Sequence, residues 1–393
     1  YNFVFPVLSR FGYPSMLAVV GSWIEEGAPK GLPEPLMTWE EIAAVSASGL
    51  VEVASHTYDL HRSVRYNPPG NVGAAISVRQ FLAAENRYET ATEYREKLAL
   101  DFRRQKQMFE NRLGTLPRVT VWPYGRCNNI SISLAKKNGS LLSFNLNDGS
   151  AQLDDPMQLS RVLVTNVPIQ DFIYQVKHPN PPPDGIRAIQ VDLDLIYDPA
   201  SYEKPDHNLG LLIERLVALD VNTVFLQAFH DAAGTGNVGR VYFHNRVLPV
   251  EKDIFSHAVH QMIIRGFQVY AWMPTLSIVL PDGGLNQRYR VKEYAEGKVR
   301  TSTSWYHRLT PFSDEVQKRL CMLYEDLAFG SQINGILFQD DAYLTDREDF
   351  HPLAWNHFQE AVGRSLTMDE ISKDSDLQRQ WTTFKTRKLI DFT

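Results

Sequence analysis

The sequence predicts an α/β fold in two parts, and three observations lead there. Short apolar runs alternate with amphipathic stretches along almost the whole chain. In the second half those runs are nearly continuous in apolar residues, as expected of parallel strands covered on both faces. Between the halves, KHPNPPPDGIR (residues 177–187) places three consecutive prolines and a glycine where neither a helix nor a central strand can run. At 393 residues the chain is also too long for one ordinary core. The expected domains are residues 1–178 and 186–393.

In the first half SMLAVVG reads as a strand, and TWEEIAAVSASG as a helix with Thr38 and Glu41 at capping-box spacing. LVEVASH is a strand that ends in histidine. ATEYREKLALDFRRQKQMFENRLG is a long amphipathic helix closed by Gly114. RVTVWPYG (strand), SISLAKKNG (helix) and LLSFNLN (strand) follow. After the prolines the strands are RAIQVDLDLI, VNTVFLQAF, FQVYAWMP and INGILFQDD. They are separated by the helical stretches LGLLIERLVALD, SHAVHQMIIRG and DEVQKRLCMLYEDLAFG. Four such units occupy the second half, whereas a (β/α)8 barrel takes about 250 residues. The second half is therefore either a smaller sheet or a barrel that the chain leaves incomplete. Its amphipathic end, FKTRKLIDFT, carries no stop signal and favours the second reading.

Composition excludes several classes. A net charge of −6 with no long basic run argues against nucleic acid as the main partner and favours neutral or cationic ligands. The two cysteines, Cys127 and Cys321, lack metal-type spacing and make no disulfide framework. No apolar run reaches the roughly 18 residues of a membrane span. The chain begins at Tyr1 rather than Met, without the layout of a signal peptide, so a trimmed or partial chain is expected.

Ligands of parallel α/β folds meet the carboxyl ends of the strands. In the second half those ends carry Asp192, Asp194 and Tyr197; Gln227, Phe229, His230 and Asp231; Trp272; and Asp340, Asp341 and Asp346. Carboxylates beside aromatic rings suit sugars, since rings stack on pyranose faces and a carboxyl of raised pKa protonates a leaving oxygen. Plainer readings stand beside this one. Thr345–Glu348 (TDRE) is a capping box that makes Asp346 a first-turn helix residue, and Asp340 and Asp341 suit a turn. Trp272 and Tyr306 suit ordinary packing. In the first half His56 ends a strand and His61 follows in ASHTYDLH, a pair able to share a divalent metal or simply to pack. VWPYG ends another strand, so Trp122, Pro123 and Tyr124 either wall the same site or form an ordinary strand exit.

Taken together, VGSWIEEG, VEVASHTYDLH, RYETATEYREKLALD, VWPYG, VDLDLIYD, VFLQAF, NRVLP, VYAWMP, YHRLTPF, MLYEDLA and GILFQDDAYLTD resemble the poly-β-1,6-N-acetyl-D-glucosamine N-deacetylases of the PgaB/HmsF type. The resemblance implies a polysaccharide-deacetylase domain, a distorted (β/α) barrel missing its first strand. An incomplete glycoside-hydrolase-like (β/α)8 barrel would follow it. It implies metal-dependent partial deacetylation of the exopolysaccharide for export in biofilm formation. The second domain would bind, and in one reading hydrolyse, the partly deacetylated polymer. His56 and His61 become two ligands of a divalent ion (Zn, Ni, Co or Fe), and the Tyr124 amide an oxyanion donor. Trp122 and Pro123 become substrate contacts. Asp346 becomes the catalytic acid with Asp340 and Asp341 beside it, and Asp194, Trp272 and Tyr306 become sugar contacts. The resemblance also implies a periplasmic, outer-membrane-attached lipoprotein and an outer-membrane export porin as partner. Some family features are absent. The FDDG motif that supplies the base and the metal aspartate is expected before Tyr1, and Asp148 and the Asp154–Asp155 pair do not match its strand context. Val121 stands where many members carry an arginine. The chain alone is therefore expected to be nearly inactive as a deacetylase. Two rival readings are a non-catalytic glycan-binding and export module, and an unrelated glycosidase whose first domain is structural.

Overall fold

The computed structural model describes residues 1–29, 31, 35–147, 151, 153–164, 166–178, 185–198 and 204–393, apart from the side chains of residues 204 and 205. Most of the proline-rich stretch, residues 179–184, lies outside the described residues, as does Asp148. The chain divides into two compact units, Tyr1–Asp184 and Gly185–Thr393.

The first unit is built on four parallel strands: β1 (Ser15–Val19), β2 (Val51–Ser55), β3 (Val119–Val121) and β4 (Leu142–Phe144). They lie side by side in chain order. Three of its helices are α1 (Trp39–Ala47), α2 (Ala91–Leu113) and α3 (Asn129–Lys137). Thr38–Glu41 and Thr90–Glu93 close reciprocal capping boxes at the starts of α1 and α2, and Gly114, with φ 66°, ends α2 in the left-handed region. Strand pleating sends Val19 and Val53 to one face, where Ile42, Met108 and Phe109 cover them. Ala54, Val119 and Val121 pack together on the other. A helix at Val4–Phe11, which buries no side chain, and short hairpins at residues 63–74 and 81–88 are additions that the apolar periodicity did not announce.

The second unit repeats the scheme with β5 (Ala188–Val191), β6 (Thr223–Gln227), β7 (Gln268–Met273) and β8 (Gly335–Phe338). These are again parallel and in chain order. The helices α4 (Lys204–Ala218), α5 (Phe255–Ile263) and α6 (Asp314–Gly330) connect them, and α7 (Pro352–Val362), α8 (Met368–Lys373) and α9 (Ser375–Phe392) follow. Sequential order without a reversal gives neither sheet a topological switch point. Both sheets remain open among the described residues, and neither closes into a barrel. Val224, Leu226, Val269, Ala271 and Met273 are buried against Val259, Met262, Leu320 and Leu323. Phe225, Tyr270 and Trp272, on the opposite face, are half-buried. The C-terminal helices, with Phe312 and Phe350 from the segments before α6 and α7, form a separate aromatic core that includes Trp355, Phe358 and Trp381.

The exit from β3 is tightly moulded. Gly125 has φ 68°, and a Cβ there would meet the Leu146 amide nitrogen at 2.7 Å. Gly125→Ala is expected to lower the unfolding free energy by about 2–4 kcal/mol, through left-handed strain plus overpacking. Urea titration measures this, and an unchanged midpoint contradicts the packing described.

Candidate functional sites

The first site stands at the carboxyl ends of β2 and β3. His56 follows the last residue of β2, and its amide still bonds the Val19 carbonyl at 2.8 Å. Its Nδ1–H donates to the Val121 carbonyl at 2.5 Å. A carbonyl only accepts, so the proton sits on Nδ1 and the Nε2 lone pair is left free. The His61 ring lies 4.9 Å from His56, 4.5 Å from Tyr124 and 5.0 Å from Trp23, centroid to centroid. Burial pushes His56 down to about 4, opposed by the Val121 bond and assisted by His61 and Arg161; burial also lowers His61. Both rings are therefore neutral at pH 7, the state a metal ion requires. Among the described residues no cluster of three or more His, Cys, Asp or Glu side chains stands at metal-binding spacing. The pair thus fits two positions of a coordination sphere.

The loop between the histidines is held from below by α2. Asp101, 6% exposed, accepts the amides of Tyr58 (2.9 Å) and Asp59 (2.7 Å). Thr57, fully buried, has φ 70°, a strained backbone for a β-branched residue. Its carbonyl accepts the Gly21 amide, and its hydroxyl accepts the Leu60 amide. Arg161 donates to the carbonyls of Asn145 and Trp122 and so joins β4 to the β3 exit.

The VWPYG residues separate. Tyr124 is 44% exposed, with φ 55°. Pro123 is buried, and Trp122 is fully buried, its indole N–H on the Ser143 hydroxyl at 2.9 Å. Trp122 is therefore a core residue rather than a stacking platform, because β4 covers it.

The second site runs along the carboxyl ends of β5–β8. Asp194 is saturated from within: it accepts His230 Nδ1–H (2.7 Å), the Tyr242 hydroxyl (2.5 Å), Gln227 Nε2–H (2.9 Å) and the Asp231 amide (2.9 Å). The carboxylate expected to meet a sugar thus also binds four groups of the fold. Asp231 in turn accepts the amides of Thr235 and Gly236. Gly236 lies under the Tyr306 ring, which a Cβ there would strike, and the Tyr306 hydroxyl donates to Asp340 at 2.5 Å. Tyr343 contacts Tyr306, with ring centroids 6.5 Å apart. Trp272 is half-buried against Phe229.

The three aspartates of the last strand have different tasks. Asp341 is fully buried and accepts three amides, from Thr275 (2.8 Å), Leu276 (2.6 Å) and Ser277 (2.5 Å). Burial raises its pKa against those bonds. It shapes the turn after β7 and is not presented to a ligand, which corrects its expected catalytic place. Asp340 and Asp346 are exposed. Thr345–Glu348 begins no helix: the Thr345 amide and hydroxyl bond Glu348, but the segment is a turn. Asp346 accepts the Thr382 hydroxyl at 3.0 Å.

Sequence reasoning passed over Asp101, Arg161, Tyr242, Arg308 and Lys385, and read Glu348 only as a capping residue. Two of these carried a signal. Asp101 interrupts the apolar stripe Tyr94–Leu98–Phe102 of α2, and Lys385 continues the stripe Leu377–Trp381 of α9. A charge on a buried stripe must have a partner.

Two α/β units, each with polar chemistry gathered at its strand ends, define a polysaccharide deacetylase domain joined to a glycoside hydrolase-like domain. The family model for hypothetical glycosyl hydrolase family 13 covers residues 190–393, more than half of the chain, and the chain belongs to that family. The polysaccharide deacetylase model covers residues 1–141. The chain is 38% identical over its whole length to the poly-beta-1,6-N-acetyl-D-glucosamine N-deacetylase of Escherichia coli (strain K12), of which it covers 59%. It thus spans about three fifths of the length of the curated relatives it matches end to end. It is 39% identical to the PgaB (BpsB) glycoside hydrolase domain from Bordetella bronchiseptica, over 53% of this chain and 58% of that one, with a TM-score of 0.49. The BpsB deacetylase domain of the same organism is 37% identical, over 42% of this chain and 66% of that one, with a TM-score of 0.38.

Burial pushes the Asp101 carboxyl up to about 6, against the pull of its two amide bonds. A carboxyl raised on folding stabilises fully below its unfolded value near 4, and that contribution is lost as pH rises through 6. Asp101→Asn is expected to abolish a decline of about 3 kcal/mol between pH 4 and 7, measured by urea unfolding at each pH. Asp101→Ala orphans two amides and is expected to cost about 2–5 kcal/mol at pH 5.

Proposed function

We propose that the protein is a metal-dependent N-deacetylase of poly-β-1,6-N-acetyl-D-glucosamine, whose second unit binds and cleaves the partly deacetylated polymer. The observation that carries the reading is the neutral His56–His61 pair, with His56 Nε2 left free, in a chain 38% identical throughout to a deacetylase of that polymer. His56 and His61 would hold a divalent ion (Zn, Ni, Co or Fe) that supplies Lewis-acid activation of water. Tyr124, held at positive φ on the rim, presents its main chain toward the developing oxyanion, and its ring and Trp23 flank His61. Asp101 and Thr57 keep the loop between the histidines in one shape.

In the second unit Asp346 is the candidate acid. Asp340 and Tyr306, bonded to each other, offer a carboxylate and a ring to an amino sugar. Removal of acetyl groups makes the polymer cationic, which suits a chain of net charge −6. The residue ranges 1–178 and 186–393 are the corresponding domains in this reading. It also places the protein in the periplasm as an outer-membrane lipoprotein that hands glycan to an export porin. No helix of the described residues is long and apolar enough to cross a membrane.

Expressed as the natural gene product, the protein is expected to release acetate from the polymer. His56→Ala and His61→Ala should each reduce that release at least about 100-fold and weaken metal binding in calorimetric titration. Unchanged acetate release would overturn the metal assignment. Asp346→Asn should slow cleavage of partly deacetylated polymer by about 100-fold or more, followed by product chain length. Intact cleavage would transfer the acid role elsewhere. A second reading, a non-catalytic glycan-binding unit, gains support from the internal consumption of Asp194 and Asp341. Glucosamine-oligomer binding without any cleavage by the wild-type chain would favour it.

A further inference from the structure

The turn that carries Asp346 is held by an unusual set of buried charges. Arg308 is fully buried and Glu348 is 2% exposed; they pair through two bonds at 2.7 and 2.9 Å. Ser302 donates to the same carboxylate, and Thr345 donates to it from amide and hydroxyl. Burial alone would raise the Glu348 carboxyl, but the Ser302 bond and the Arg308 charge hold it below the usual range. Arg308 also donates to the Tyr343 carbonyl, and its guanidinium lies 4.2 Å from the centre of the Tyr343 ring.

The second cation comes from α9. Lys385, 2% exposed, donates to the Thr345 carbonyl at 2.6 Å and to the Glu348 carbonyl. One turn earlier on that helix, Thr382 donates to the Asp346 carboxylate at 3.0 Å. The carbonyls of residues 343, 345 and 348 are thus fixed by two buried cations from separate elements, and the exposed carboxylate between them is fixed by a hydroxyl.

Stability alone does not account for this. Replacing buried ion pairs by apolar groups of similar volume is often neutral or stabilising. An aromatic core already surrounds the region, with Phe350, Trp355, Phe358 and Trp381 in mutual contact. What charged groups add, and apolar ones do not, is directional bonding to backbone carbonyls. The anchored atoms lie on both sides of the one exposed carboxylate of the turn. A surface aspartate on a free turn samples many positions, whereas an acid acts efficiently only when held within a fraction of an ångström of its target.

We propose that Arg308, Glu348, Lys385 and Thr382 are positioning residues that hold Asp346 in its working geometry. The proposal rests on the reading of Asp346 as the acid of the second unit. None of the four touches the sugar in this account. They act through the backbone of residues 343–348 and through one hydroxyl–carboxylate bond.

The test compares wild type with Lys385→Met, Thr382→Val and Thr382→Ser. It uses thermal melting, amide hydrogen exchange over residues 343–350, and cleavage kinetics on partly deacetylated polymer. Thr382→Val keeps size and fold while deleting the bond to Asp346, and Thr382→Ser keeps the hydroxyl. The expected result is a fall in kcat of about ten-fold for Thr382→Val at nearly constant KM, with Thr382→Ser near wild type. Lys385→Met should speed exchange of the turn at least about ten-fold and lower kcat further. Equal kcat in Thr382→Val and wild type overturns the proposal. So does a loosened turn in Lys385→Met with kcat intact. Should Lys385→Met fail to fold, the two Thr382 variants decide. If wild type cleaves nothing, the hydrolase reading fails. Exchange of the turn in Thr382→Val then judges the clamp: faster exchange supports it and unchanged exchange overturns it.

Discussion

Amide groups at the carboxyl ends of parallel strands set the main constraint on this protein. A strand that leaves its sheet carries N–H groups beyond the reach of the ladder, and a buried one without an acceptor costs about 1–3 kcal/mol. Buried or half-buried aspartates answer that need in both units. Asp101 takes two amides, Asp341 takes three, and Asp194 takes one together with three side-chain donors. A carboxylate is suited to this because its two oxygens accept about four bonds. The carboxylates at each rim therefore divide into those committed to the fold and those left outward, chiefly Asp340 and Asp346.

The two rims differ in how they treat charge. The first neutralises its titratable groups: burial keeps His56 and His61 uncharged, and the Val121 carbonyl fixes which nitrogen of His56 remains basic. The second buries charge and saturates it: Arg308 pairs with Glu348, Asp341 accepts three amides, and Lys385 donates to two carbonyls. An electron-pair donor set suits a Lewis acid, and fixed dipoles around exposed carboxylates suit a polyhydroxylated or cationic chain.

Much of the architecture was legible in the sequence, because it rests on periodicity. The capping boxes at Thr38 and Thr90, the glycine stop at Gly114, and the apolar strands at Val51–Ser55 and Thr223–Gln227 follow from local rules. Local rules do not report burial. They left Trp122 open between a wall of the site and an ordinary strand exit, and the packing of β4 over its indole puts it in the core. They gave the three aspartates of GILFQDDAYLTD similar weight, whereas contacts some 65 residues distant commit Asp341 to the backbone. The TDRE pattern has the right spacing for a helix start, yet Arg308 and Lys385 pull that segment into a turn. The short hairpins were too brief for any periodic signal.

The hold of α9 on the turn at residues 343–348 has a consequence for the order of assembly. Lys385 reaches back 40 residues to the Thr345 carbonyl, and Thr382 reaches back 36 to Asp346. In a chain made from its amino end, β8 can join the sheet before α9 exists. The rim that β8 carries then has its residues but not its shape. The final form of that rim is written by a helix synthesised after it, so the rim takes its shape later than the strand that carries it.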